Sequence, residues 1–194
     1  MRRVAPLVLA VALLSVTRSV GAQASNAQAS SAQASAARAS DALLRAMGAS
    51  APVPNPSFVA PADVEYKVVW DVTAAPATPG EIPAGLARPA NFMMMAEANG
   101  VARPRVHLAI IVFGGATSSI LTNEAYRAAH GVDNPNIALL RAMTDAGVQV
   151  IVCGQAMAGR KIARDQVLPF VRVATSATFA RATLHAQGYA TFAP

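Results

Sequence analysis

One cysteine occurs in the 194 residues of this chain, and the stretch around it, Gly147-Val148-Gln149-Val150-Ile151-Val152-Cys153-Gly154-Gln155, is where chemistry is first sought. A β-branched run opened by a glycine that ends a helical pattern and closed by another glycine reads as a strand buried on both faces of a parallel sheet. The thiol of Cys153 then stands at the carboxyl end of that strand, the edge where ligands and reactions collect in open α/β sheets. A helix start follows at Gly154 and Gln155, and the unpaired N–H groups of a helix start favour the nucleophilic thiolate. Two readings stay open at this point. Cys153 is either a reactive thiol or a small buried hydrophobe, a common role for free cysteines. A third, an intermolecular disulfide, ranks last, because a cysteine after a buried strand is poorly placed to meet a twin.

Other candidates are weaker. Gly114-Gly115 closes a second apolar run, Val106 to Phe113, and lets the backbone approach a ligand or form an anion-cradling nest with Ala116 and Thr117. It lacks the lysine of a P-loop and the three-glycine spacing of a dinucleotide fold, so it gives no support for nucleotide binding, and a plain tight turn is the simpler use. Thr175 stands at the end of a further strand and joins the candidate pocket with Gly154 and Gln155. Met93, Met94 and Met95 are consecutive on a helix, where neighbours diverge by about 100°, so they cannot converge on one soft metal ion and are read as core filling. His107, His130 and His185 show no metal-ligand spacing. Neither a metal centre nor a cofactor is expected. Arg160, Lys161 and Arg164 form a charge run that is either a solvated face or an attractor for an anion.

These residues need elements to position them. Val64 to Val72 alternates as a strand and ends in Asp71-Val72-Thr73, and Leu86 to Asn99 reads as a helix with its regular part starting at Pro89. Thr122-Asn123-Glu124 caps a short helix to His130. Asn134-Pro135 reads as cap and first turn of another helix, which Gly147 stops. Gln155 to Ile162 is a short helix, and Phe170 to Ala174 is a fourth strand. A helix capped by Thr175 or Ser176 runs to Gln187, and Tyr189 to Phe192 is a last strand. Strand and helix alternate, so the fold class is α/β with a mostly parallel sheet and right-handed crossovers. If the strands are parallel, Asp71-Val72-Thr73, Gly114-Gly115, Cys153-Gly154-Gln155 and Ala174-Thr175-Ser176 share one edge.

The chain divides into three parts. Residues 1–22 have a positive start, an apolar core from Val4 to Val16 too short to span a bilayer, and the small residues Val20-Gly21-Ala22, which together read as a cleaved signal peptide. The location expected is therefore periplasmic or secreted, with no membrane association after cleavage. Residues 23–61 are a low-complexity and Pro-rich linker: the Ala/Gln/Ser repeat up to Ser40, without large apolar side chains, reads as mobile with at most transient helix, Asp41 to Gly48 as one or two short amphipathic turns with Leu43, Leu44 and Met47 on the apolar side, and Ala51 to Pro61, with Pro52, Pro54, Pro56 and Pro61, as an extended entry into the domain. Residues 62–194 are the folded domain. The formal charge of +6 falls to +3 without Arg2, Arg3 and Arg18, and the remaining basic residues are scattered, so nucleic acid is not an expected partner.

The motifs in order, Asn123-Glu124-Ala125-Tyr126, Gly131 to Asn136, Ala146-Gly147-Val148, Val152-Cys153-Gly154-Gln155 and Gln187-Gly188-Tyr189, resemble the DsrE/DsrF-like family, and Tyr66 to Thr73 fits its start. The resemblance covers residues 62–194. It implies a three-layer α/β/α domain with a five-stranded sheet and a homo-oligomer, often a trimer or hexamer. It also implies, for some relatives, sulfur carried as a persulfide on a cysteine. Cys153 matches the cysteine of the CGQ motif in the exported branch, and Phe113 stands where similar proteins often have histidine. On this resemblance the chain is a sulfur carrier or sulfurtransferase-like protein at most, with Cys153 relaying a persulfide and a sulfur donor or acceptor as partner. The alternative is a non-catalytic oligomeric module that binds a small ligand or partner at the same edge, its cysteine inert.

Overall fold

The computed structural model describes residues 16–48, 50–51 and 53–192; most of the expected signal peptide lies outside them. The elements are α1 (Val16–Met47), β1 (Tyr66–Val72), α2 (Arg88–Ala98), β2 (Val106–Val112), α3 (Asn123–His130), α4 (Ile137–Asp145), β3 (Gln149–Cys153), α5 (Gly154–Gly159), β4 (Arg172–Ala174), α6 (Ala177–Ala186) and β5 (Ala190–Phe192). Among the described residues no helix is long and apolar enough to cross a membrane.

The strands form one five-stranded sheet in the order β4-β3-β2-β1-β5, parallel throughout. The α/β class and the parallel sheet expected from the alternation are therefore present. From β1 to β4 the chain steps in one direction, so right-handed crossovers place the intervening helices on one face of the sheet. The step from β4 back to β5, beyond β1, reverses direction and puts α6 on the other face. The core divides accordingly. Val68, Trp70, Leu108, Ile110, Val150 and Val152 pack with Leu86, Met93, Leu140 and Met143, whereas Val69, Ala109, Ile111, Ile151 and Cys153 pack with Ala177, Ala180, Leu184 and Tyr189. Alternation along each strand sends its residues to the two cores by turns.

One sequence expectation needs revision. Asn134 does not cap α4: the residue at the cap position is Asn136, without a side-chain cap bond. The Asn134 side chain is buried instead, donating to the carbonyls of Ser119 (3.1 Å) and Leu121 (2.6 Å) and accepting from the backbone N–H of Asn136 (3.0 Å). A buried amide that can satisfy three backbone groups of a loop is worth more there than at an exposed cap. Thr122 does cap α3, accepting from Ala125 N at 3.3 Å.

Within residues 23–61, the Ala/Gln/Ser repeat is helical in the structure, as part of α1, and a compact unit begins at Ala39. Within that unit, Leu44 is 1% exposed and Leu43 and Met47 pack beside it on the larger core. Arg45 pairs with Asp41 (2.8 Å) and Glu97 (3.1 Å), the latter on α2. A docked end supplies the nucleus that helix formation otherwise lacks, and alanine-rich sequence propagates a helix from it.

Truncating Leu44 to alanine is expected to cost about 2–5 kcal/mol of stability, measured by urea unfolding of the folded domain with residues 39–47 retained. Unchanged stability would mean that this end of α1 does not belong to the core.

Candidate functional site

Cys153 is both the last residue of β3 and the cap residue of α5, and its Sγ accepts the backbone N–H of Ala156 at 3.4 Å. Its position follows from the strand: Gln149, Ile151 and Cys153 point to the face that α6 covers, and at the end of the strand the start of α5 meets the thiol. Residue by residue, Cys153 pairs with Ala174 of β4. The ladder between β2 and β3 ends at Val112 opposite Val152, so Phe113, extended and next in line, is its neighbour on the other side. Phe113, Ala156 and Ala174 pack on the small core that contains Cys153, and the cysteine is left 6% exposed. The thiol thus lies under an apolar cover of one aromatic ring and several alanines.

A family model described as DsrE/DsrF-like matches residues 67–194. The chain belongs to the DsrE/DsrF-like family. Among solved structures, the protein of unknown function MTH1491 from Methanobacterium thermoautotrophicum is similar, with 16% identity, a TM-score of 0.48, and coverage of 66% of this chain and 99% of that one. No curated protein matches.

In this DsrE/DsrF-like domain the other sequence candidates separate into three places. Gly154 lies beside Cys153 for a steric reason: a Cβ built there would stand 2.7 Å from the Ala174 carbonyl oxygen and 3.3 Å from that of Thr175. Only glycine lets α5 begin this close to the end of β4. Gln155 is exposed. Thr175, also exposed, lines a groove of about 320 Å³ between β4 and α6, together with Gln149, Ile151, Arg172 and Phe179. Gly114 and Gly115 are elsewhere. Gly114, at φ +59°, and Gly115 press on the β1–α2 loop, where an added Cβ would meet Thr73 O or Ala75 N at 3.0 Å. They serve the packing of two loops against each other, and neither lines the groove that holds Thr175. Among the described residues no group of three or more His, Cys, Asp or Glu side chains is placed to hold a metal ion.

The structure adds a pair that the sequence did not single out. Arg181 on α6 donates from Nη2 to Asp71 Oδ2 at 2.5 Å, and its guanidinium carbon stands 5.9 Å from the centre of the Phe113 ring. Asp71 is the last residue of β1 to face α6. Its place at a strand end was legible; Arg181, 110 residues later, carried no local signal.

Gly154→Ala is expected to lower stability by about 1–3 kcal/mol through overpacking and to speed alkylation of Cys153, because the forced shift moves Ala174 away from the thiol. Equal labelling rates in mutant and wild type, at native conditions, would contradict this account of the cover.

Proposed function

We propose that this chain is an exported sulfur-handling protein in which Cys153 takes up a sulfur atom as a persulfide. The observation that carries the reading is the placement of the single cysteine of a DsrE/DsrF-like chain at the carboxyl edge of the sheet, with the Ala156 N–H directed at its sulfur. In the step envisaged, the Cys153 thiolate attacks the outer sulfur of a donor persulfide. A new S–S bond forms at Cys153, the donor's S–S bond breaks, and the donor leaves as a thiolate with the electron pair; no external oxidant is required. Gly154 sets the approach of α5, and Gln155 and Thr175 stand at the rim. Export is supported by the first 22 residues of the sequence, and assembly into a homo-oligomer, a trimer or hexamer, by the family resemblance.

A second reading has its own observation. With Cys153 6% exposed, the same edge can serve a non-catalytic module that holds a small ligand or partner while the cysteine remains an inert part of the core.

Intact mass spectrometry after incubation with glutathione persulfide separates the two. The sulfur-handling reading expects addition of one sulfur atom to the wild type and none to Cys153→Ser. It fails if the wild type gains nothing or the mutant gains as much. Alkylation adds a kinetic view: labelling well below a free-thiol pKa of about 8.5 supports the relay, whereas labelling only after denaturation supports the inert core cysteine.

A further inference from the structure

Three aromatic rings and a methionine line one open groove on the α2 face of the sheet, and the cation that completes its lining has no partner. Trp70 of β1 pairs in register with Phe192 of β5, so the two side chains stand on the same face. Their rings stack with centroids 6.4 Å apart, and Phe92 of α2 meets Trp70 edge-on at 5.8 Å. Arg88, Asn91, Phe92 and Met95 follow the spacing i, i+3, i+4 and i+7 along one side of α2. With Trp70 and Phe192 they line a groove of about 370 Å³, within the range of roughly 300–1,000 Å³ typical of small-molecule sites. Phe192 is 52% exposed there and Met95 44%. Arg88 is half-buried and makes no hydrogen bond or ion pair among the described residues. Asp71, already paired with Arg181, and Glu81 border the neighbouring cleft with Arg88, and neither pairs with it. The first turn of α2 carries no acidic residue, so the charge is not compensated on its own helix either.

We propose that this groove binds a small arylalkyl carboxylate, its ring held among Phe92, Met95 and Phe192 over Trp70 and its carboxylate by Arg88. One helix places both ends of the ligand. Arg88 and Phe92 are four residues apart, which puts their Cβ atoms roughly 5–6 Å from each other on one side of α2, a span that a phenyl ring and a carboxylate two methylene groups away can bridge. The ring end is specified by its surroundings, since aromatic partners favour offset or edge-to-face rings and a thioether adds its own contact to a ring edge. The charged end is specified by Arg88, whose planar fork suits a carboxylate. An aromatic amine meets the guanidinium with the wrong sign, and a carboxylate without a ring leaves the aromatic surface in water. Cys153 does not line this groove, so the site stands apart from the sulfur chemistry proposed above.

Emission from Trp70, the one tryptophan in the chain, reads the groove directly during titration of the folded protein with 3-phenylpropionate. Propionate, hexanoate and phenethylamine serve as controls that lack the ring, replace it by an alkyl chain, or reverse the charge. A saturable change in emission is expected with 3-phenylpropionate, and binding at least about tenfold weaker with each control. Arg88→Gln should weaken 3-phenylpropionate by a similar factor and abolish its preference over phenethylamine, and Phe192→Ala should weaken it by about tenfold. Sedimentation of the wild type and Phe192→Ala separates a ligand site from a contact between copies of the chain. Any of four results overturns the assignment: no saturable change, a control that binds as tightly, full binding by Arg88→Gln, or an oligomer that Phe192→Ala dissociates while 3-phenylpropionate leaves the emission unchanged.

Discussion

Helix α6 is held to the sheet by Ala177, Ala180 and Leu184 and by one ion pair, Arg181 to Asp71, and among the described residues it is the helix that covers its face. The opposite face is shared by the ends and sides of several helices. That asymmetry follows from the strand order, because only the return from β4 to β5 crosses the sheet in the reverse direction. Its consequence is that Asp71 and Cys153, both near the carboxyl edge, face the side of the sheet that α6 covers. The Asp71 carboxylate is nearly enclosed, and a charge so placed depends on its partner: remove Arg181 and an uncompensated carboxylate is left in the interior. The same pair ties α6 to the end of β1, with the Arg181 guanidinium standing over the Phe113 ring that packs beside Cys153.

The sequence made the elements legible because two independent signals agreed. Hydrophobic period distinguished strand from helix, and glycines stopped the helices where the chain had to turn, as at Gly147, φ +89°. The family motifs lay on those elements and pointed to the same fold. What stayed hidden depends on contacts remote in the chain. Asn134 carried a cap signature that a buried loop claimed instead, since local spacing cannot report whether a side chain faces water. Nor can it report that β5 lies beside β1, which decides that α6 stands alone. Burial of Cys153 was left open for the same reason: it is set by Phe113, Ala156 and Ala174, residues brought together from three strand ends.

Propensity and context part company in the Ala/Gln/Ser repeat. Without large apolar side chains the repeat has nothing to dock, and its described side chains are indeed largely exposed. Its conformation is decided by the next few residues along the chain. Leu43, Leu44 and Met47 bury one end of α1, and a helix anchored at one end extends through alanine-rich sequence without needing a stripe of its own. Composition described the residues correctly while the neighbouring segment decided their conformation.

The thiol's surroundings bear on how any reaction at Cys153 would proceed. Phe113 supplies no proton donor and no ligand to the space beside the sulfur; what it supplies is apolar area, backed by the Arg181 guanidinium over its ring. Access to Sγ therefore requires motion of the residues packed beside it, Phe113, Ala156 and Ala174. A thiol guarded in this way would react at a rate set by opening of that cover as well as by its own nucleophilicity.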